Sequence, residues 1–179
     1  MSRSTLKLPE SLTRKIHSSR AVTSVVRTLK RSGKRIVFTN GCFDLLHLGH
    51  VILLERAKRY GDVLVVALNS DRSIRTLKGP HRPVVSQRDR SALVAALSCV
   101  DLVTVFDDST PHALIAKLVP DVLVKGSDWS LRQIVGQDVV RRHKGRVVRI
   151  PLIDGYSTTQ LVEDIGRSVG GTQTSNRLA

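Results

Sequence analysis

The stretch Phe38-Thr-Asn-Gly-Cys-Phe-Asp-Leu-Leu-His-Leu-Gly-His50 closes a β-type run and opens a helical one. It gathers two glycines, Asp44 and two of the chain's six histidines, His47 and His50, at that junction. A metal site, a pair of packed histidines and a phosphate cradle all use such residues. Their surroundings in the chain separate the three.

Upstream, Arg35–Gly41 is a short run bounded by Gly33 and Gly41. Downstream, His50–Tyr60 places Val51, Leu54 and Ala57 near one face, the 3.6-residue period of a helix. Residues 62–70, DVLVVALNS, form a near-continuous apolar run, as expected for a parallel strand covered on both faces. The alternation continues with a helix over 86–98 capped by Ser86, a strand over 101–107, and a helix over 111–118 with Pro111 in its first turn. Strands at 121–126 and 146–152 flank a weaker helical segment near 130–142, and 157–169 closes as a helix. Strands alternating with helices predict βαβ units, hence an α/β fold: a Rossmann-like, doubly wound parallel sheet in a three-layer α/β/α sandwich. Ligands then bind outside the carboxyl ends of the strands. Residues 34–169 read as this domain, 1–33 as a basic, helical N-terminal extension, and 170–179 as a flexible tail.

The 179 residues suit one domain, with 41% hydrophobic residues for the core and only 3% aromatic. No apolar run reaches the roughly 18–20 residues of a membrane span, and the N-terminus lacks the apolar segment of a secretory signal. Cys42 and Cys99 fit neither a metal spacing nor a disulfide framework, so a reducing cytoplasm is the simplest compartment. The net charge is +14. Residues 1–33 carry eight Lys/Arg against Glu10 alone, half of that excess. The same 33 residues hold no aromatic side chain to stack on bases, so a solvated extension is preferred to a nucleic-acid arm.

Neither a G-x-x-x-x-G-K-[ST] loop nor a G-x-G-x-x-G follows the first strand. Gly41 permits a tight turn and Gly49 a close approach. A helix starting near Gly49–His50 turns its free N–H groups and positive dipole end toward the strand's carboxyl edge, an anion site. His47 and His50 at that mouth can donate hydrogen bonds to charge growing on phosphate oxygens. Zinc ligation ranks behind both other readings, because no Cys, Glu or third His stands at a fitting spacing. Far along the chain, Ser157-Thr158-Thr159 puts hydroxyls and backbone N–H groups at another helix start, where a plain N-cap is the commoner meaning.

His47-Leu-Gly-His50 resembles the H-x-G-H signature of the nucleotidyltransferase superfamily, and Ser157-Thr158-Thr159 resembles that group's second signature. The segments 67–84, 87–101 and 120–129 are similar to the adenylyltransferase half of the bacterial bifunctional heptose kinase/adenylyltransferase. The resemblance spans about residues 34–166, with two departures: Tyr156, where relatives often carry a smaller residue, and Gly-Ser-Asp-Trp at 126–129, where they often read Gly-Gly-Asp-Tyr. It implies a heptose 1-phosphate adenylyltransferase that joins ATP to D-glycero-D-manno-heptose 1-phosphate, giving ADP-heptose and pyrophosphate for lipopolysaccharide or other surface glycans. It also implies Mg²⁺ bridging the phosphates, no protein-built metal site, and a homodimer.

Under that resemblance His47, His50 and Lys78 are the candidate catalytic residues. Asn40, Gly41, Phe43, Gly49, Lys125, Gly126, Asp128, Trp129, Ser157, Thr158 and Thr159 join the two histidines as candidate nucleotide contacts. Asp44, Lys78, Arg82 and Arg88 are candidates for the sugar phosphate, with a turn-capping Asp44 and a solvated Arg88 as alternatives. The rival enzyme is a glycerol-3-phosphate cytidylyltransferase. The rival non-enzyme, a nucleotide- or RNA-binding module, leaves the two distant signatures unexplained.

Overall fold

The computed structural model describes residues 7–153 and 155–170. The chain runs α1 (Glu10–Thr13), β1 (Ile16–His17), α2 (Ser19–Arg31), β2 (Ile36–Gly41), α3 (Leu48–Lys58), β3 (Val63–Asn69), α4 (Asp71–Lys78) and α5 (Gln87–Ala95). It continues with β4 (Leu102–Phe106), α6 (His112–Leu118), β5 (Val122–Gly126), a 3₁₀ turn (Leu131–Gln133), α7 (Gln137–Arg142), β6 (Arg146–Ile150) and α8 (Thr158–Gly170).

Six parallel strands form one sheet in the order β1-β4-β3-β2-β5-β6. The period-two alternation of side chains feeds two separate cores. On one face Ile36, Phe38, Val63, Val65 and Leu123 pack with Val22 and Val26 of α2, Ile115 of α6 and Val140 of α7. On the other Val37, Leu64, Val66, Leu68 and Val124 pack with Leu54 of α3 and Val94 of α5. Helices thus cover both faces, the doubly wound sandwich the alternation predicts.

Strand order reverses at β2, whose neighbours are β3 on one side and β5 on the other. Two chain segments diverge at the carboxyl ends of these strands and open a crevice there. Asn40–Gly41 and Lys125–Gly126 end β2 and β5 at this point.

The basic segment expected as an extension instead contributes to the domain. Ile16 and His17 pair with Val103 and Thr104, making β1 an edge strand beyond β4. Helix α2 is capped by Ser18, whose side chain accepts from the Ala21 N–H, and buries Val22 and Val26 against the sheet. Its charges face outward or find partners: Lys30 Nζ sits 3.3 Å from Asp121 Oδ1. Two further differences concern helices. Residues 71–78 form α4, started by Ser70 accepting from the Ser73 N–H. The weak helical segment at 130–142 is split at Gly136, whose φ of 84° ends one turn and starts the next. Residues 1–6, and the expected tail from residue 171 onward, lie outside the described residues.

Candidate active site

After β2 the chain makes two left-handed residues, Phe43 and Leu45, each at φ 47°. Bulky side chains seldom adopt this conformation, and held strain of this kind gathers at ligand sites. Two buried groups hold the turn. Arg90, fully buried in α5, donates from Nη1 to the Cys42 carbonyl, from Nη2 to the Asn69 carbonyl and Asp71 Oδ1, and from Nε to the Val85 carbonyl. Asp44, 1% exposed, accepts from the Val84 and Val85 N–H groups and pairs with Arg82 at 2.9 Å. The main-chain carbonyl of Asp44 accepts from Thr158 Oγ1 at 2.8 Å, which fastens α8 to the histidine turn 114 residues earlier.

His47 is the N-cap of α3, so the helix begins at Leu48, slightly before the expected start. The rings of His47 and His50 stack with centroids 3.8 Å apart, and Phe43 leans on His50 at 5.2 Å. The stack depends on Gly49: a Cβ there would stand 3.0 Å from the His47 ring and 3.1 Å from Tyr156 Cβ. His50 Nδ1 receives a long contact, 3.4 Å, from the His47 N–H. With Nδ1 accepting, the neutral ring carries its proton on Nε2 as a donor. Burial first, then the nearby His47 and Lys78, push the His50 pKa down to about 4 despite Asp44. Burial lowers that of His47 too. At neutral pH both rings serve as neutral hydrogen-bonding groups rather than as fixed cations.

The positive charge comes from lysines. Lys125 Nζ donates to the Asn40 carbonyl at 3.0 Å and lies 5.5 Å from the Trp129 ring centre. Burial drives its pKa down to about 8, with Asp128 and Cys42 opposing. Lys78 ends α4 at the same opening. At the start of α8, Ser157 Oγ accepts from the Gln160 N–H, leaving the first turn directed at the opening.

These parts enclose one cleft of about 290 Å³ at the β2/β5 crevice. Every expected nucleotide contact lines it: Asn40, Gly41, Phe43, His47, Gly49, His50, Lys125, Gly126, Asp128, Trp129, Ser157, Thr158 and Thr159, with Lys78. Leu53, Leu152, Ile153 and Tyr156 add an apolar wall that no short motif announces. The remaining expected acceptor residues do not line it. Asp44 is spent on the turn and Arg82 on Asp44, because a buried carboxylate needs a cation and donors close by. Arg88 lies in the first turn of α5 and lines a separate groove with Asp71, Arg75 and Ser86. Arg90, two residues on, is the buried arginine that sequence reasoning passed over; it shares its helix with Gln87, Arg88, Asp89 and Ser91, so residue type alone gave no signal of its burial. Among the described residues, no group of three or more His, Cys, Asp or Glu could hold a metal ion.

Comparison with known proteins places the chain among relatives. The cytidylyltransferase-like family model matches residues 38–163. A bifunctional protein HldE from Syntrophotalea carbinolica is 53% identical over 151 residues, covering 84% of this chain and 31% of that protein. The Gluconobacter oxydans protein of the same name is 54% identical over 138 residues, 77% of this chain and 29% of that one. The chain thus spans about a third of the length of these relatives. Among solved structures, the lipopolysaccharide core biosynthesis protein from Thermoplasma volcanium aligns with a TM-score of 0.59 at 29% identity, over 68% of this chain and all of that one. Pantoate-β-alanine ligase from Francisella tularensis shares the fold at a TM-score of 0.57 and 14% identity, over 86% of this chain and 77% of its own.

Proposed function

This chain belongs to the cytidylyltransferase-like family, and from that premise we propose that it is a heptose 1-phosphate adenylyltransferase, making ADP-heptose and pyrophosphate from MgATP and D-glycero-D-manno-heptose 1-phosphate. The observation that carries the reading is the meeting, in one cleft, of His47-Leu-Gly-His50 and Ser157-Thr158-Thr159, joined by the Thr158–Asp44 hydrogen bond. The substrate assignment draws support from about 50% identity to the bifunctional HldE proteins and from the similarity of segments 67–84, 87–101 and 120–129 to the adenylyltransferase half of the heptose enzyme.

A phosphate oxygen of the sugar phosphate attacks the α-phosphorus of ATP. The bond from that phosphorus to the oxygen bridging to the β-phosphate breaks, and pyrophosphate leaves. A phosphate monoester is already an anion at neutral pH, so no general base is required, and catalysis rests on positioning and on charge stabilisation. His47 and His50 donate to the oxygens that gain charge, and Lys78 and Lys125 supply positive potential. The first turn of α8, with Ser157 and Thr159, holds the departing phosphates. Mg²⁺ carried on the nucleotide would offset the charge of its phosphates beside Lys78 and Lys125.

The test is pyrophosphate release by the purified chain with Mg²⁺ and ATP, offering the α- and β-anomers of heptose 1-phosphate separately and CTP with glycerol 3-phosphate as control. Turnover with one anomer, abolished in His47→Ala, is expected. Turnover in the control alone would move the protein to the cytidylyltransferase branch.

A further inference from the structure

A second cavity, of about 430 Å³, lies across the end of β2 from the first. Its volume falls within the roughly 300–1,000 Å³ of small-molecule sites. It shares Asn40, Gly41, Lys78, Lys125, Asp128 and Trp129 with the nucleotide cleft, so the two are compartments of one opening. Its private walls have a different chemistry. Ser109 and Thr110 after β4 supply hydroxyls, and Asn69 at the end of β3 and Gln133 of the 3₁₀ turn supply the amide atoms left over after Asn69 Nδ2 donates to Ser73 Oγ and Gln133 Oε1 accepts from Ser130. Leu77, Pro111 and Val135 supply apolar surface between them. Amides and hydroxyls alternating with aliphatic patches match a sugar ring, whose hydroxyls lie at its rim and whose C–H groups form its faces. Asn40, on the shared wall, has a buried Oδ1 with no hydrogen-bond partner among the described residues, an acceptor placed for an incoming hydroxyl.

The position also satisfies the reaction. In-line displacement brings the nucleophile to the face opposite the leaving group. With pyrophosphate at the α3 and α8 starts, the acceptor must come from the other side of β2. That is where this cavity opens, and both lysines border the junction.

Resting on the adenylyl-transfer reading above, we propose that this cavity seats the uncharged polyhydroxy body of the acceptor sugar phosphate. Asn69, Ser109, Thr110 and Gln133 are its specificity-determining residues. Selection is made by hydrogen bonds to hydroxyls, while the lysines hold the phosphate whatever body it carries.

Two measurements test this on the full chain. The first compares steady-state kinetics of the wild type with Thr110→Val and Ser109→Ala, which keep shape and remove polar groups. Losing one hydrogen bond should raise KM for heptose 1-phosphate about three- to tenfold, with KM for ATP unchanged. The second uses Cys42, which lines this cavity and not the nucleotide cleft. The other cysteine, Cys99, is buried, and its thiol is pushed up to about 11, so iodoacetamide should label Cys42 first. Labelling of the wild type, followed by mass spectrometry, should slow by about tenfold with heptose 1-phosphate at ten times its Kd, and remain unchanged with inorganic phosphate. Turnover of heptose 1-phosphate with an unaltered KM in both variants would overturn the cavity assignment and leave adenylyl transfer standing. Absence of turnover with Cys42 still protected would remove the adenylyl-transfer reading and uphold the cavity. Absence of turnover and of protection would remove both, and equal protection by inorganic phosphate would overturn the cavity assignment.

Discussion

Replacing Arg90 with Met should be among the most damaging single changes in this chain, although Arg90 touches no cleft surface. The thioether keeps most of the volume, so packing loss is small and the cost is polar. Four acceptors lose their donor: the carbonyls of Cys42, Asn69 and Val85, and the Asp71 carboxylate, bound at 2.7 Å. A neutral bond lost at a buried carbonyl costs about 1 kcal/mol, and one to a charged group about 2 kcal/mol. The three carbonyls and the carboxylate together give about 5 kcal/mol, in line with the 3–5 kcal/mol typical of breaking a buried ion pair. At about 2–4 °C per kcal/mol for a chain of this size, Tm should fall by about 10–20 °C. Arg90→Lys should recover less than half, because one ammonium cannot span acceptors that a planar guanidinium reaches from three nitrogens. Urea unfolding with a constant m-value is the assay. A loss below about 2 kcal/mol for Arg90→Met would refute the claim that these bonds hold the turn carrying the histidines.

His50→Ala should lower kcat by about 10²–10³-fold in the pyrophosphate assay, the loss of one donor to developing charge. The neutral, buried state of His50 has a stability signature. Between pH 6.5 and 4 the unfolded chain binds a proton that the folded chain refuses, so acidification through this window should cost up to about 3 kcal/mol. His50→Asn should lack that share of the acid sensitivity, and equal pH dependence of the two proteins in urea would contradict it. Lys125 is mostly protonated at pH 7 and loses its charge through about pH 8, so kcat/KM for ATP should fall on an alkaline limb near that pH. Lys125→Arg should move this limb out of range, and a limb unmoved by the substitution would assign it elsewhere. Val26→Ala should cost about 2 kcal/mol in global stability if α2 is part of the cooperative core; a helix merely appended to the domain would lose under 0.5 kcal/mol.

The central fold was legible because its signals are redundant. The runs at 62–70 and 121–126 are apolar on both faces, which a parallel sheet alone requires. Two helix starts carried serine caps, at 86 and 157, that the structure uses. The cleft residues were legible for a related reason: ligand groups must sit at strand ends beside helix starts, and the motifs mark those points. What escaped is whatever depends on distant partners. β1 is two residues long and exists only because β4 lies beside it. α2 did show Val22, Val25, Val26 and Leu29 at helical spacing, but its arginines dominated the reading of composition. Arg82 looked like a substrate ligand since it is polar and close to a motif, while Asp44 stood open between that role and a turn-capping one; that the two neutralise one another is a tertiary fact.

The short β1 also bears on how copies of this protein coexist at high concentration. Without it, Leu102–Phe106 would present its outer row of amide and carbonyl groups along an apolar strand, a template for another chain's backbone. Two paired residues, with α1 and α2 leading in and out, blunt that margin. At the opposite margin β6 carries exposed Arg146 and Arg149, charges that discourage a flush neighbour. Both borders of the sheet are therefore closed to end-to-end growth, one by brevity and the other by repulsion. The N-terminal segment, least conspicuous in its motifs, thus shields one border of the sheet from another chain's backbone.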